Sequence, residues 1–293
     1  MQTSDILKRV RRIEIETGRM VSETFAGEYK SVFKGQGIEF AEVRQYNYGD
    51  DIRSIDWNVS ARTGGVYVKK FNEERELNVM IACDVSGSQF FGSSGRFKSE
   101  AVAELGAVFA FSAIKNSDKV GLLLFSDKVE IYIPPKKGKR HALRIIRELL
   151  AFKPKSRGTN IAMCLDTLNR VIKRKGILLL ISDFQDFGYD KSFKLAAKKF
   201  DLIPVIVQDP LEVKIPKTRA FINIEGLETG AKVALGPLSA TQGDIAAKHA
   251  QNITGALKLF SNAGADHIRI DSSQNPVDPV VKFFKQRAKK IRR

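Results

Sequence analysis

A chain of 293 residues is long enough for one large domain, or for an ordinary domain with a substantial addition. Its 43% hydrophobic and 28% charged residues support a packed core and exclude wholesale disorder. The net charge of +16 points to an anionic partner (nucleic acid, lipid or acidic protein) without choosing among them.

From Ser4 to about Glu16 the pattern is helical, with Ser4 as N-cap. This N-terminus is too charged for a secretory segment, and no run reaches the ~18 apolar residues of a membrane helix, so a cytoplasmic protein is expected. Residues 20–75 are rich in Gly, Tyr, Phe and Val and read as an irregular, partly β segment. Regular structure then begins. LNVMIACD (Leu77 to Asp84) reads as a buried strand, Arg96 to Lys115 as a helix, and KVGLLLFS (Lys119 to Ser126) as a second strand. KVEIYIPP (Lys128 to Pro135) alternates and follows after a single aspartate, which predicts a tight hairpin. Helices are expected over Arg140 to Phe152 and Asn160 to Lys175, then a strand over Gly176 to Asp183. A helix over Lys191 to Lys199, a strand over Asp201 to Asp209 and a polar hairpin over Ala220 to Leu235 follow. The last elements are a helix over Thr241 to Ala263, a short strand over His267 to Ile270 and a final helix over Val277 to Ile291.

Strands alternating with helices predict an α/β fold, a doubly wound and mostly parallel sheet whose hairpin supplies one antiparallel edge strand. Residues 1–75 are expected as an N-terminal helix and added segment packed on a main domain of residues 76–293. Cys83 and Cys164 lie in apolar patterns without ligand spacing and read as small buried residues.

In an open parallel sheet, ligands bind beyond the carboxyl ends of the strands. Asp84 ends the first strand and Asp183 the third, while Thr159 precedes the helix that leads into the third. With Ser86 and Ser88 these make five oxygen donors converging on one rim, a hard-cation set. Two carboxylates and three hydroxyls carry little charge and leave room for water, which suits Mg²⁺ first and Mn²⁺ second, better than a carboxylate-rich Ca²⁺ cage. Lys153, Lys155 and Arg157 stand just before Thr159 and should flank that rim, where they would draw in a partner's Asp or Glu. A nucleic-acid or anionic-surface binder is the rival reading, weakened by the lack of aromatic residues interleaved with these cations.

Asp84-x-Ser86-x-Ser88 with a distant Thr159 and Asp183 resembles the metal-ion-dependent adhesion site of von Willebrand factor type A domains. That resemblance implies direct ligation by Ser86 and Ser88. It implies that Thr159 binds directly or through water, and that Asp84 and Asp183 act mostly through water. GQGIEFAEVRQYNYGDDIRSIDWNVSAR (Gly35 to Arg62), with GVYVKKFNEE and KVGLLLFSDKVE, further resembles the bacterial family called domain of unknown function 58. The resemblance implies association with MoxR-type AAA+ ATPases. Many members carry N-terminal membrane helices, and many have Met where this chain has Gln89. Within the signature, Trp57 reads as a core residue, and the charges read as a network pinning the segment to the sheet. No His, Lys or Cys is placed by the pattern beside the two aspartates, and Ser86 stands where an aspartyl-phosphate motif needs a second carboxylate. A non-enzymatic, metal-dependent interaction module, adaptor or chaperone-like, is expected, with a metal-dependent phosphoesterase as the weaker alternative.

Overall fold

Two alternating stretches, IEFAEVRQ and YVKKFNE, pair as antiparallel strands β1 (Ile38–Gln45) and β2 (Tyr67–Glu73). The computed structural model describes residues 38–73, 76–213, 222–225, 232–235 and 240–291; the helix expected from Ser4 to Glu16 lies outside them. The chain divides into two compact units, and among the described residues, 38–73, 76 and 77 belong to one and those from Asn78 onward to the other.

In the first unit, a 3-10 turn (Ile52–Ser54) and helix α1 (Trp57–Thr63) connect β1 to β2. The charges of the signature serve local structure here. Asp51 accepts from Arg53 N to cap the turn, and Asp56 accepts from Asn58 N and Val59 N to cap α1. Gly64, at φ 72°, closes the helix in the left-handed conformation that glycine adopts without strain. Arg44 grips Asp50 with two nitrogens, at 2.8 and 2.6 Å, and Lys69 stands 3.5 Å from Asp56. These contacts lie within this unit. Trp57 departs from expectation: it is 67% exposed, and the buried residue of the pair is Asp56. Once Asp56 turns inward to cap α1, the next side chain begins the helix on its outer surface.

The second unit is built on a six-stranded sheet in the order β10-β7-β6-β3-β4-β5. Its strands are β3 (Asn78–Asp84), β4 (Lys119–Phe125), β5 (Val129–Lys136), β6 (Ile177–Ser182), β7 (Asp201–Gln208) and β10 (Ile268–Asp271). All neighbours are parallel except β4 and β5. The central strands are apolar at nearly every position because helices cover both faces. Met80, Ala82, Leu123, Phe125, Leu178 and Leu180 share one face. They pack there against α4 (Ile161–Val171), α5 (Asp190–Lys199) and α7 (Ala240–Asn262). The alternate strand residues face the other way, toward α2 (Lys98–Lys115), α3 (Lys139–Ala151) and α8 (Val277–Ile291). Phe109 of α2 meets Phe284 of α8 edge-on, and any side chain at Gly106 would collide with Leu149 of α3.

Some boundaries differ from expectation. The β4–β5 loop has three residues, Ser126 to Lys128, closed by Ser126 N donating to Lys128 O. Helix α4 stops at Val171, four residues short of Lys175. Ile172 is extended there and turns into the core, and the chain must reach Gly176, which lies against the backbone of Asn78. Pro204 is tolerated within β7 because β10 pairs only from Val205 onward, so no ladder donor is needed at that residue. The polar hairpin is formed by β8 (Ile222–Glu225) and β9 (Lys232–Leu235), and its turn lies outside the described residues. A four-residue helix, α6 (Pro210–Val213), follows β7. Among the described residues no helix is long and apolar enough to cross a membrane.

The chain runs outward from β3 to β4 and β5, then returns to β6 on the opposite side of β3 and proceeds to β7 and β10. The direction of winding reverses between β3 and β6, and the connections leaving their carboxyl ends part there to opposite faces. A crevice at this point follows from topology alone.

Candidate metal centre

Both predicted aspartates stand at that crevice. Asp84, the last residue of β3, is 1% exposed. Its Oδ1 accepts from Ser86 N at 2.8 Å and its Oδ2 from the Ser182 hydroxyl at 2.7 Å. A 3-10 turn over Gly87–Phe90 brings the Ser86 and Ser88 hydroxyls to 3.1 Å from each other. Ser88 also helps to hold the carboxyl of Asp183, the residue after β6, below its ordinary value. Direct hydrogen bonds thus join Asp84, Ser86 and Ser88. The loop carrying Thr159 is fastened to the same turn, since Gly87 N donates to Arg157 O at 2.9 Å. Asn160 and Asp186 then cap α4, accepting from Met163 N and Ile161 N. Lys153, Lys155 and Arg157 are exposed on this loop, whose backbone is held by Glu130 at Lys155 N and Ser156 N.

Sequence reasoning missed the residue that does most to set the electrostatics. Lys98, the first residue of α2, has no exposed surface. Its Nζ lies 2.8 Å from Asp183 Oδ2 and 2.6 Å from Glu212 Oε1 on α6. One signal was available: a cation in the first turn of a helix opposes the helix dipole and needs a compensating anion. Its partners lie 85 and 114 residues away in the chain, so no local pattern names them. His249 on α7 also feels both Asp183 and Lys98, and burial pushes its imidazole down. The expectation that no lysine or histidine stands near the aspartates is therefore corrected.

Burial and the charge of Asp183 push the Asp84 carboxyl up to about 7. Burial acts in the same direction on Asp183, but the Lys98 ammonium outweighs it and holds that carboxyl below its ordinary value. Burial raises Glu212. It would lower Lys98, but Asp183 and Glu212 reverse the sign, so the ammonium keeps its proton. Cys83 and Cys164 are buried free thiols, raised by desolvation first and by the Asp84 charge second, which leaves them protonated and poor nucleophiles.

The donor set fits a small divalent ion. An octahedral ion with bonds of about 2.1 Å places neighbouring ligand oxygens about 3.0 Å apart, and the two serine hydroxyls are 3.1 Å apart. Asp84 has each oxygen held by a protein donor, an arrangement suited to acting through bound water. With all three carboxyls ionised, Asp84, Asp183 and the half-buried Glu212 exceed the Lys98 ammonium by two negative charges, the deficit that a divalent cation neutralises.

A family model described as "Protein of unknown function DUF58" matches residues 42–253. The chain belongs to this family. Among relatives, the Mycobacterium tuberculosis protein Rv1480 (strain H37Rv) is 23% identical over 281 residues, covering 95% of this chain and 88% of its own length. Among solved structures, an aerotolerance-related membrane protein from Bacteroides fragilis is similar at 18% identity, over 73% of this chain and 99% of that one, with a TM-score of 0.47. The SpRpn10 VWA domain is similar at 13% identity, over 70% and 94%, with a TM-score of 0.39.

Proposed function

We propose that this DUF58 protein is a metal-dependent protein-interaction module in which Ser86, Ser88 and Thr159, backed by Asp84 and Asp183, hold one Mg²⁺ that a partner's Asp or Glu completes. The observation that carries this reading is the serine pair, set at ligand spacing beside the buried Asp84 and Asp183. When bound, the ion supplies a fixed positive centre for a carboxylate. The chain's own residues do the rest. Ser182 and Ser86 N fix the Asp84 carboxylate, Lys98 fixes Asp183, and Lys153, Lys155 and Arg157 draw an acidic partner toward the rim.

The module is read as non-catalytic despite the lysine and thiols around it. Lys98 is bound by two carboxylates and keeps its proton, and the thiols keep theirs, so neither supplies a base or nucleophile. A MoxR-type AAA+ ATPase, or a client it acts on, is the partner that the family resemblance suggests, and an adaptor or chaperone-like role follows from it. Calorimetric titration with Mg²⁺ and Mn²⁺ tests the reading. Saturable binding near one ion per chain, lost in Asp84→Ala with the circular dichroism spectrum retained, is the expected result. Binding of equal affinity in Asp84→Ala would refute it.

A further inference from the structure

Five large apolar side chains are exposed within one or two residues in sequence of this centre's network. Phe90 comes two residues after Ser88, and Phe97 directly precedes Lys98. Phe187 follows Asp186, the cap of α4, and Leu211 and Val213 flank Glu212 on α6. Their relative exposures run from 39% to 66%. The connections that bear them leave the carboxyl ends of three strands, β3, β6 and β7, that are adjacent around the switch point. The loop holding Phe97 is itself anchored: Ser93 N donates to the buried Asp209 after β7, whose carboxylate also accepts from Ser272 and Leu211 N. The other large exposed apolar residues described in this unit, Val129, Tyr132, Val171 and Leu195, sit on the edge strand β5 or on helices α4 and α5.

We infer that these side chains form an apolar collar that reads the residues flanking the partner's carboxylate. The ligand class is a peptide segment carrying one Asp or Glu with aromatic or aliphatic neighbours. This rests on the metal-centre reading above. Two observations choose this occupant. The exposed Lys153, Lys155 and Arg157 share the rim with the collar, so the surface pairs cationic and apolar character and complements an acidic-apolar segment. The collar also begins within two residues of the ligand hydroxyl of Ser88, so a carboxylate at the ion brings its own neighbours against Phe90. Clustered exposed apolar surface of this kind marks interaction sites, and aromatic residues at their centre dominate affinity.

The test is selection of a random-peptide phage library on the full chain in Mg²⁺, with elution at low pH. Enriched peptides should carry an Asp or Glu with apolar residues within three positions. The leading peptide, labelled, is then measured by fluorescence anisotropy against the double variant Phe97→Ser/Phe187→Ser. Both positions are exposed, and Ser at 97 occupies the N-cap of α2, where it is favoured, so the fold is retained. Peptide affinity should fall at least tenfold while Mg²⁺ titration of the variant matches wild type. Unchanged affinity, enrichment of peptides without apolar neighbours, or no enrichment at all overturns the collar. Loss of a wild-type dimer in the variant by light scattering also overturns it, because a second copy would then be the occupant. If the peptide binds equally in EDTA, or with its carboxylate changed to an amide, yet still depends on Phe97 and Phe187, the metal reading fails and the collar stands.

Discussion

Gln89 is the side chain whose replacement should stabilise this protein. It is 1% exposed, and neither its Oε1 nor its Nε2 has a hydrogen-bond partner among the described residues. A buried polar group left unpaired costs about 1–3 kcal/mol, whereas an apolar group of the same shape carries no such penalty. Met matches Gln in length and flexibility, and its thioether demands no partner. Many members of the family resembled in the sequence have Met after the second serine. The two orphaned atoms belong to one amide and are not independent, so we expect Gln89→Met to gain about 1–3 kcal/mol rather than twice that. Urea unfolding in EDTA, followed by far-UV circular dichroism, measures the gain. Trp57 fluorescence is the wrong probe, because that residue belongs to the other unit and is already exposed. The midpoint should rise at constant slope, and Mg²⁺ affinity should be unchanged, because Gln89 supplies none of the ligand oxygens. A neutral or destabilising result would refute the reasoning and show that the amide is paired in solution.

Other expectations follow from the same network. Lys98→Met leaves Asp183 and Glu212 facing each other inside the protein and should cost about 3–5 kcal/mol; the double variant with Glu212→Gln, which removes one of those charges, should recover part of the loss in the same unfolding assay. Asp84 titrates near 7 in the metal-free chain against an ordinary value of 3.8, so between those values the folded state holds a proton that the unfolded state has released. Metal-free stability should therefore fall as pH rises through that window, while Mg²⁺ affinity rises with pH and binding releases a proton, readable by calorimetry in buffers of different ionisation enthalpy. Gly121→Ala would place a Cβ 2.8 Å from Ile133 O and 2.9 Å from Pro135 N, backbone atoms of β5 that cannot swing away. It should destabilise by about 1–3 kcal/mol, with the circular dichroism spectrum preserved.

The sheet was legible because its signals are local. Val79–Cys83 and Ile177–Ile181 are unbroken apolar runs of strand length, and a run ending in Asp84 or Asp183 places its carboxylate on the rim without further information. Thr159 was legible by position, since any residue in the loop before α4 must emerge beside those ends. What escaped was decided at long range. Ser182 looks like the tail of a strand, yet it is the donor to Asp84 Oδ2. Glu212 looks like a charged residue after a strand, yet it shares the Lys98 ammonium. Trp57 was misread because size and apolarity favour burial in general, whereas the inward turn of its neighbour Asp56 decided the outcome here. Helix α4 was drawn too long because Lys173, Arg174 and Lys175 suit a helix surface by composition, while the approach of Gly176 to Asn78 ends it earlier.

Lys98 also bears on how the centre would discriminate among partners. With Mg²⁺ bound, the ion and the ammonium together balance Asp84, Asp183 and Glu212, and the buried cluster becomes neutral as a whole. A neutral cluster exerts little pull on a distant carboxylate, so attraction across solvent falls to Lys153, Lys155 and Arg157, whose reach is limited to about a Debye length of 8–10 Å at ordinary salt. At contact the order would invert: an exposed ion pair contributes about 1 kcal/mol or less, while a bound ion and the apolar side chains would act on the carboxylate where water is excluded. Long-range charge would then govern how fast any acidic segment arrives, and the residues around its carboxylate would govern how long it stays. A protein of net charge +16 meets many anions, and a neutral buried centre with a cationic, apolar rim is a way to hold few of them.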